Sequence, residues 1–395
     1  MYKSTIVNKK RFFDSSVRSE SVVLLLMCKK VLTVITLLFF FTGCSNDNTE
    51  EFNESLGKKL ESSLQKSIEE HNVTGAVLAV RSDNGSSWKG SAGYSILENE
   101  TEMSTDLSFR IGSITKTFTA TLILILIDEG LLSLETTLNE VVPELEIIMG
   151  DQITIENLLE MRSGLEKYLA NEDFGGFYIY DPGRIWTPEE LVYYTNNKVS
   201  EPNSTFLYNN GNFIILGLIV EKLTGMEYES AANKYIFKPL NMENTYLPSD
   251  LNVPEYFAYG YEYDATSDLN INITYNFHPS LAWSAGGMIS NADDLLIWAN
   301  AYTEGLLISD ELHQKQFTLQ TAENNIGIDS YGFGAMKYGN LIGHDGFIPP
   351  YGSWVATYKN YKFVFLLNGT GDVAIPALVA SYVLNDIIDA VDDEL

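Results

Sequence analysis

Cysteine is almost absent from this chain of 395 residues: Cys28 and Cys44 are the only two, and both fall in or at the end of an apolar leader. The remainder has no cysteine for a disulfide, a thiol nucleophile or a thiolate metal site. Histidine is nearly as scarce, and His71, His278, His313 and His344 are scattered without ligand spacing, which argues against a zinc centre or any other metal site. G-x-S-x-G does not occur, so there is no nucleophile elbow of the α/β-hydrolase kind. No Walker or dinucleotide-binding glycine pattern occurs either, and no cofactor is implied. Positive charge is short as well, with 25 Lys and Arg against 53 Asp and Glu and a formal net charge of −28. Residues 1–43 contribute +5 of that net, which leaves −33 on the rest. Such a surface argues against nucleic acid and anionic membrane surfaces as partners.

What is present begins with an export signal. Residues 31–43, VLTVITLLFFFTG, form an apolar run that follows Lys29 and Lys30 and is short for a membrane-spanning helix. FTGC at 41–44 resembles a bacterial lipobox, with Phe41 where a small aliphatic residue is usual. The resemblance implies cleavage before Cys44 and a lipid on it. Met27-Cys28-Lys29-Lys30 makes a better signal start than Met1, so residues 1–26 read as an upstream extension of a signal peptide spanning 1–43. The acidic segment after Cys44, residues 44–54, reads as a tether, and 55–395 as the folded domain. The expectation is an exported bacterial lipoprotein of the cell envelope, attached to a membrane through Cys44.

The domain has no internal repeat. Leu56, Leu60, Leu64 and Ile68 give helical spacing over 54–71. GAVLAVRSD and NGSSWKGSAGYS form a hairpin turning at Asp83-Asn84-Gly85. Helical patterns fill the middle at 113–130, 155–162, 187–196, 211–223 and 293–302, and strand patterns return with YGFGAMKY, NLIGHDG, GSWVATYKN and YKFVFLLNG. PALVASYVLNDIIDAV closes the chain as a helix. Strands at both ends and helices between them predict an α+β fold with an inserted helical lobe, and a ligand cleft between the lobes.

FRIGSITKTFTA at 109–120 opens the most apolar helical pattern, TLILILI, and carries Ser113 and Lys116 in its first turn. The i, i+3 spacing puts both on one helix face, about 5 to 6 Å apart at Cβ. A serine hydroxyl needs a base to become a nucleophile, and a lysine in an apolar wall has its pKa lowered towards that task. The competing reading is an N-cap serine beside a lysine that snorkels to the surface. S-x-x-K also occurs at Ser55/Lys58 and Ser63/Lys66 on the polar N-terminal helix, where a solvated face explains it. Y-x-N starts at Tyr194, Tyr208, Tyr338 and Tyr358, but only Tyr208-Asn209-Asn210 leads into an apolar helix with a glycine start. There Tyr208 is placed to share a proton relay with Lys116, and Asn210 to hold the lysine or a substrate amide. H-x-G occurs once, as His344-Asp345-Gly346. On an edge strand facing the cleft, His344 would offer a donor or positive charge to a substrate carboxylate, and Gly346 would let substrate approach the backbone.

These three motifs in this order, on a chain with β ends and a helical middle, resemble the serine penicillin-recognising superfamily. The branch is the one holding class C β-lactamases, DD-peptidases, D-aminopeptidases and related esterases. FRIGSITKTFTA, ITIENLLEMRSGL, FLYNNGNFIILG, WSAGGMISNADDLLIWANAY and YGFG before GHDG carry the resemblance, over roughly 55–390. It implies the β-lactamase/transpeptidase-like fold: an antiparallel sheet flanked by the N- and C-terminal helices with an inserted helical lobe. It also implies Ser113 as the acylated nucleophile, Lys116 and Tyr208 as the proton-transfer pair, and Asn210, His344 and Gly346 at the substrate. The backbone N–H groups of Ser113 and Phe347 would form the oxyanion hole.

The chain departs from the pattern in two places. His344-Asp345-Gly346 replaces the K-T-G of class C β-lactamases and resembles the peptidases and esterases of the branch, and Met161-Arg162 replaces a common His-Thr. The aromatic stretches 173–186 and 254–263 are open to two readings, as cleft wall or as packed loops. The expected activity is that of a D-alanyl-D-alanine carboxypeptidase acting on D-amino-acid peptides. A small-ester hydrolase or weak β-lactamase is the alternative enzyme, and a non-catalytic penicillin-binding-like protein the alternative of another class.

Overall fold

The computed structural model describes residues 51–323, 327–372 and 378–395. The signal segment, Cys44, the tether as far as Glu50 and the first residues of the predicted last helix lie outside them. The strands of the central sheet are β1 (Gly75–Ser82), β2 (Ser87–Ile96), β3 (Thr101–Glu102), β4 (Gln320–Thr321), β5 (Ser330–Tyr331), β6 (Met336–Tyr338), β7 (Leu341–Ile348), β8 (Tyr351–Tyr358) and β9 (Tyr361–Leu367). They run antiparallel in the order β3-β2-β1-β9-β8-β7-β6-β5-β4. The first and last long strands are neighbours, paired from Ala76 with Leu367 to Ser82 with Tyr361. Chain between β3 and β4 is therefore free to leave the sheet and build the second lobe.

The helices that matter for the site are α1 (Glu54–Glu70), α2 (Thr115–Asp128), α3 (Asn210–Thr224), α4 (Ala292–Thr303) and α5 (Val379–Val391). α1 starts at Glu54, inside the segment read as tether, because Asn53 caps it by accepting from Ser55 N at 2.9 Å and Leu56 N at 3.2 Å. Trp88 of β2 lies against Gly57 of α1, whereas the next residue, Lys89, pairs with Asp293 of α4 at 2.7 Å. Successive strand residues point to opposite faces, so α1 and α4 cover opposite faces of the sheet. Burial on both faces explains why β1 and β9 read as nearly unbroken apolar runs.

The fold is the expected one, with a difference at the sheet edge. YGFGAMKY is two short strands, β5 and β6, because Gly334 takes φ +67° where the edge passes α2. A Cβ there would sit 2.8 Å from Ala120 Cβ, so only glycine permits the approach.

Candidate active site

α2 is apolar on every side, and all of Thr115 to Leu126 is buried. It is reached through a tight turn, Gly112–Ile114, that carries Ser113. Neither element has a side-chain cap at its N-terminus, so Ser113 is not an N-cap. Its Oγ accepts a hydrogen bond from Lys116 Nζ at 2.8 Å. Lys116 does not snorkel: it is 0% exposed. Its Nζ also donates to Ala285 O at 2.6 Å and lies 5.0 Å from the centre of the Tyr208 ring. Burial pulls the Lys116 ammonium down to about 7, opposed by the charge of Asp345. A lysine with such a pKa is present in part as a free amine at neutral pH.

Tyr208 and Asn210 come from the start of α3. Asn209 caps this helix through Gly211 N at 2.9 Å, and its amide donates to Leu165 O at 3.0 Å and Glu166 O at 2.9 Å. That bracing holds the residues on either side of it towards Ser113. The Tyr208 hydroxyl and Asn210 Oδ1 are buried and make no hydrogen bond of good geometry. Buried polar atoms without partners are uncommon, and both belong to residues that line one cleft. Burial, then the Asp345 charge, push the Tyr208 phenol well above its usual 10, with Ser113 pulling the other way. The phenol is thus protonated at neutral pH.

The oxyanion position is set by strand geometry. β6 pairs with β7 only through Leu341, Ile342 and Gly343. Beyond Gly343 that edge of β7 has no strand partner among the described residues. Asp345 N points towards this edge, where it meets Met336 Sδ at 3.2 Å. The period of two puts Phe347 N on the same edge. Gly112, at φ +50°, lies under it, and a Cβ there would be 2.7 Å from Phe347 N. Gly112, the residue before Ser113, thus lies against Phe347 N, an approach that would let the Ser113 and Phe347 amides share a tetrahedral oxyanion.

His344 and Gly346 are placed otherwise than expected. His344 is 0% exposed and sits behind the cleft, its ring 6.2 Å from that of Tyr208 and 5.7 Å from that of Tyr331. Its Nδ1 is 2.5 Å from Asp345 O, an atom that only accepts, so Nδ1 carries the proton and Nε2 accepts from Tyr331 Oη at 3.0 Å. Burial and the Lys116 charge push the imidazole down to about 3. It is neutral and offers a substrate carboxylate no charge. Gly346 is approached by the chain's own backbone: a Cβ there would fall 2.2 Å from Ile111 O and 2.3 Å from Ser353 Oγ. Its smallness holds β7 against the segment that carries Ser113.

The cleft encloses about 340 Å³ and is lined by Ser113, Tyr208, Asn210 and Phe347 together with residues that motif reading did not single out, Lys167, Asp345 and Leu169 among them. Asp345 keeps 19% of its side chain exposed, and burial pushes its carboxyl up to about 7 against the field of Lys116. The middle position of H-x-G was the signal for it. For Ala285 O there was none, since a backbone acceptor leaves no trace in side-chain type. Arg162, the unusual residue after Met161, reaches across to the sheet edge, donating to Thr321 O at 2.8 Å and meeting Glu323 at 3.4 Å. In the aromatic stretches Phe174 and Trp186 pack on one another and on Tyr194, and Phe257 packs on Tyr351. None of these five residues lines the cleft.

With this geometry in place, comparison with known proteins is decisive on family. The β-lactamase family model matches residues 58–383. The chain belongs to the β-lactamase family. This β-lactamase-family serine hydrolase is 26% identical over 336 residues to penicillin-binding protein 4* of Bacillus subtilis, covering 80% of this chain and 72% of that one. A D-stereospecific amidohydrolase from Streptomyces sp. superposes with a TM-score of 0.72 at 27% identity, over 85% of this chain and 98% of that one. The D-amino acid amidase of Ochrobactrum anthropi SV3 complexed with D-phenylalanine gives 0.77 at 23% identity, over 86% of this chain and all of that one, a likeness of fold.

Proposed function

We propose that this protein hydrolyses D-amino-acid peptides through an acyl-enzyme on Ser113, in the manner of a D-alanyl-D-alanine carboxypeptidase, while held at the cell envelope by a lipid on Cys44. The observation that carries the reading is the 2.8 Å hydrogen bond between Ser113 Oγ and a fully buried Lys116 whose ammonium is pulled down to about 7. Lys116 as free amine takes the Ser113 proton while Oγ attacks the scissile carbonyl carbon, and the carbonyl electron pair moves onto oxygen between the Ser113 and Phe347 N–H groups. Collapse of that intermediate breaks the C–N bond, and the leaving amine receives the proton from Lys116 by way of the Tyr208 hydroxyl. Water then attacks the ester with the same base, and Ser113 recovers its proton as the acid departs. Asn210, with its orphaned Oδ1, accepts from a substrate amide N–H in this scheme.

A second reading, hydrolysis of D-amino-acid amides, is favoured by Asp345, whose carboxyl in the cleft suits a substrate ammonium. Incubating the domain 55–395 with a penicillin and weighing the intact protein tests the shared mechanism. A covalent adduct on the native protein and none on Ser113→Ala is the expected result; an adduct on both removes Ser113 from its role. Release of D-alanine from a D-Ala-D-Ala peptide, set against release of ammonia from a D-amino-acid amide, then separates the two substrates.

A further inference from the structure

His344 is buried and neutral, which leaves open what in the cleft answers a substrate anion. Apart from Lys116, which is committed to Ser113 and Ala285, the described lining holds one cation, Lys167. Its ammonium has no ion pair and no hydrogen bond among the described residues, in a protein where acidic residues outnumber basic ones by 53 to 25. The acid next to it in sequence, Glu166, is already taken by Asn197 Nδ2 at 2.9 Å and Asn171 Nδ2 at 3.2 Å. Burial lowers the Lys167 pKa from its usual value. Lys167 and Asp345 line the same cleft and form no ion pair with one another.

The backbone around Lys167 is fixed on both sides. Before it, Leu165 O and Glu166 O accept from the Asn209 amide; after it, Tyr168 donates its hydroxyl to Leu281 O at 2.8 Å and packs edge-on against Phe174. A half-buried ammonium on a pinned segment without a partner costs free energy that a bound anion would recover. Because Asn209 joins this segment to the start of α3, Lys167 lies on the same wall as Asn210, the side where the scheme above holds the amide of the acyl donor.

We propose that Lys167 is the specificity-determining residue of the cleft and receives a carboxylate carried by the acyl portion of the substrate. The inference rests on the acyl-enzyme reading and names its substrate class: peptides whose acyl side, upstream of the scissile bond, bears an acidic group.

A matched pair of activated esters tests it, 4-nitrophenyl valerate and 4-nitrophenyl hydrogen glutarate, which differ by a terminal methyl against a carboxylate. The native protein is expected to favour the glutarate in kcat/KM by about 10- to 100-fold, the range of a hydrogen bond to a charged group. Lys167→Met brings the kcat/KM ratio, corrected for spontaneous hydrolysis, towards one, Lys167→Arg keeps it, and Lys167→Glu turns it towards the valerate. Because a ratio of two substrates is read on one protein, a general loss of folding or activity does not mimic the effect. Ser113-dependent turnover with no preference, or a preference that survives Lys167→Met, overturns the role of Lys167 and leaves the hydrolase standing. No Ser113-dependent turnover of either ester overturns both.

Discussion

Serine and lysine stand three residues apart at two places on α1 and again at the entry to α2. On α1 the lysines stand in solvent: Lys58 pairs with Glu54 and Lys66 with Glu70, and 72% of each lysine side chain is exposed. At α2 the same spacing gives a lysine with no exposed surface, bound to the serine and to a backbone carbonyl. Local geometry is shared, and the surroundings differ. An ammonium in water keeps its proton near neutrality and is useless as a base. The one walled in by Phe213, Tyr208 and α2 itself is pulled down to about 7. A motif of two residues is thus an address for chemistry only where the fold supplies desolvation.

The largest effect should come from breaking the buried copy. Lys116→Met is expected to lower kcat/KM by about a thousandfold or more, since groups of a catalytic unit fail together, whereas Lys66→Met should leave it within twofold; ester hydrolysis measures both. In Lys116→Met a pH dependence of stability should vanish too. Folded Lys116 releases its proton near 7 and unfolded lysine near 10.5, so the native protein gains stability as pH rises between them. Chemical denaturation of the two proteins at pH 7 and pH 9 would read the difference.

A smaller loss should follow Gly112→Ala, which strains a left-handed residue and drives a methyl into Phe347 N. Moving one oxyanion donor is worth about a hundredfold in kcat, with KM little changed; an equal fall in kcat for Gly130→Ala, a left-handed glycine with open space around it, would deny the site any special geometry. The smallest effect is a shift of profile. Activity should rise with pH through about 7 as Lys116 becomes the free amine. Asp345 holds that proton on, so Asp345→Asn should move the acid limb to lower pH; a limb that moves up, or stays, would remove Asp345 from the field of the base.

Much of this was legible beforehand for identifiable reasons. TLILILI has too little polar surface to be anything but central, and the apolar strands near both ends required strand partners. Ser113, Lys116, Tyr208 and Asn210 were named from motifs and Phe347 from the family resemblance; all but the buried Lys116, which bonds Ser113, line one cleft. His344 was misplaced because a strand motif says which residues alternate but not which of them the twisted edge turns to the cleft. The histidine went inside against Tyr331, and Asp345 came out. Lys167 carried no signal, since a lysine in a loop is ordinarily a solvated one.

Sequence by itself determined the partition of this protein into sheet ends and helical middle, and the order of its chemical groups along the chain, because periodicity and residue type are local properties. Tertiary structure alone decided which serine–lysine pair is dry, which backbone segments meet beside Ser113, and which charges in the cleft are left without partners. Those are matters of distance between residues far apart in sequence, Lys116 with Ala285 and Gly112 with Phe347, and free energies of desolvation arise only where such residues close around a group.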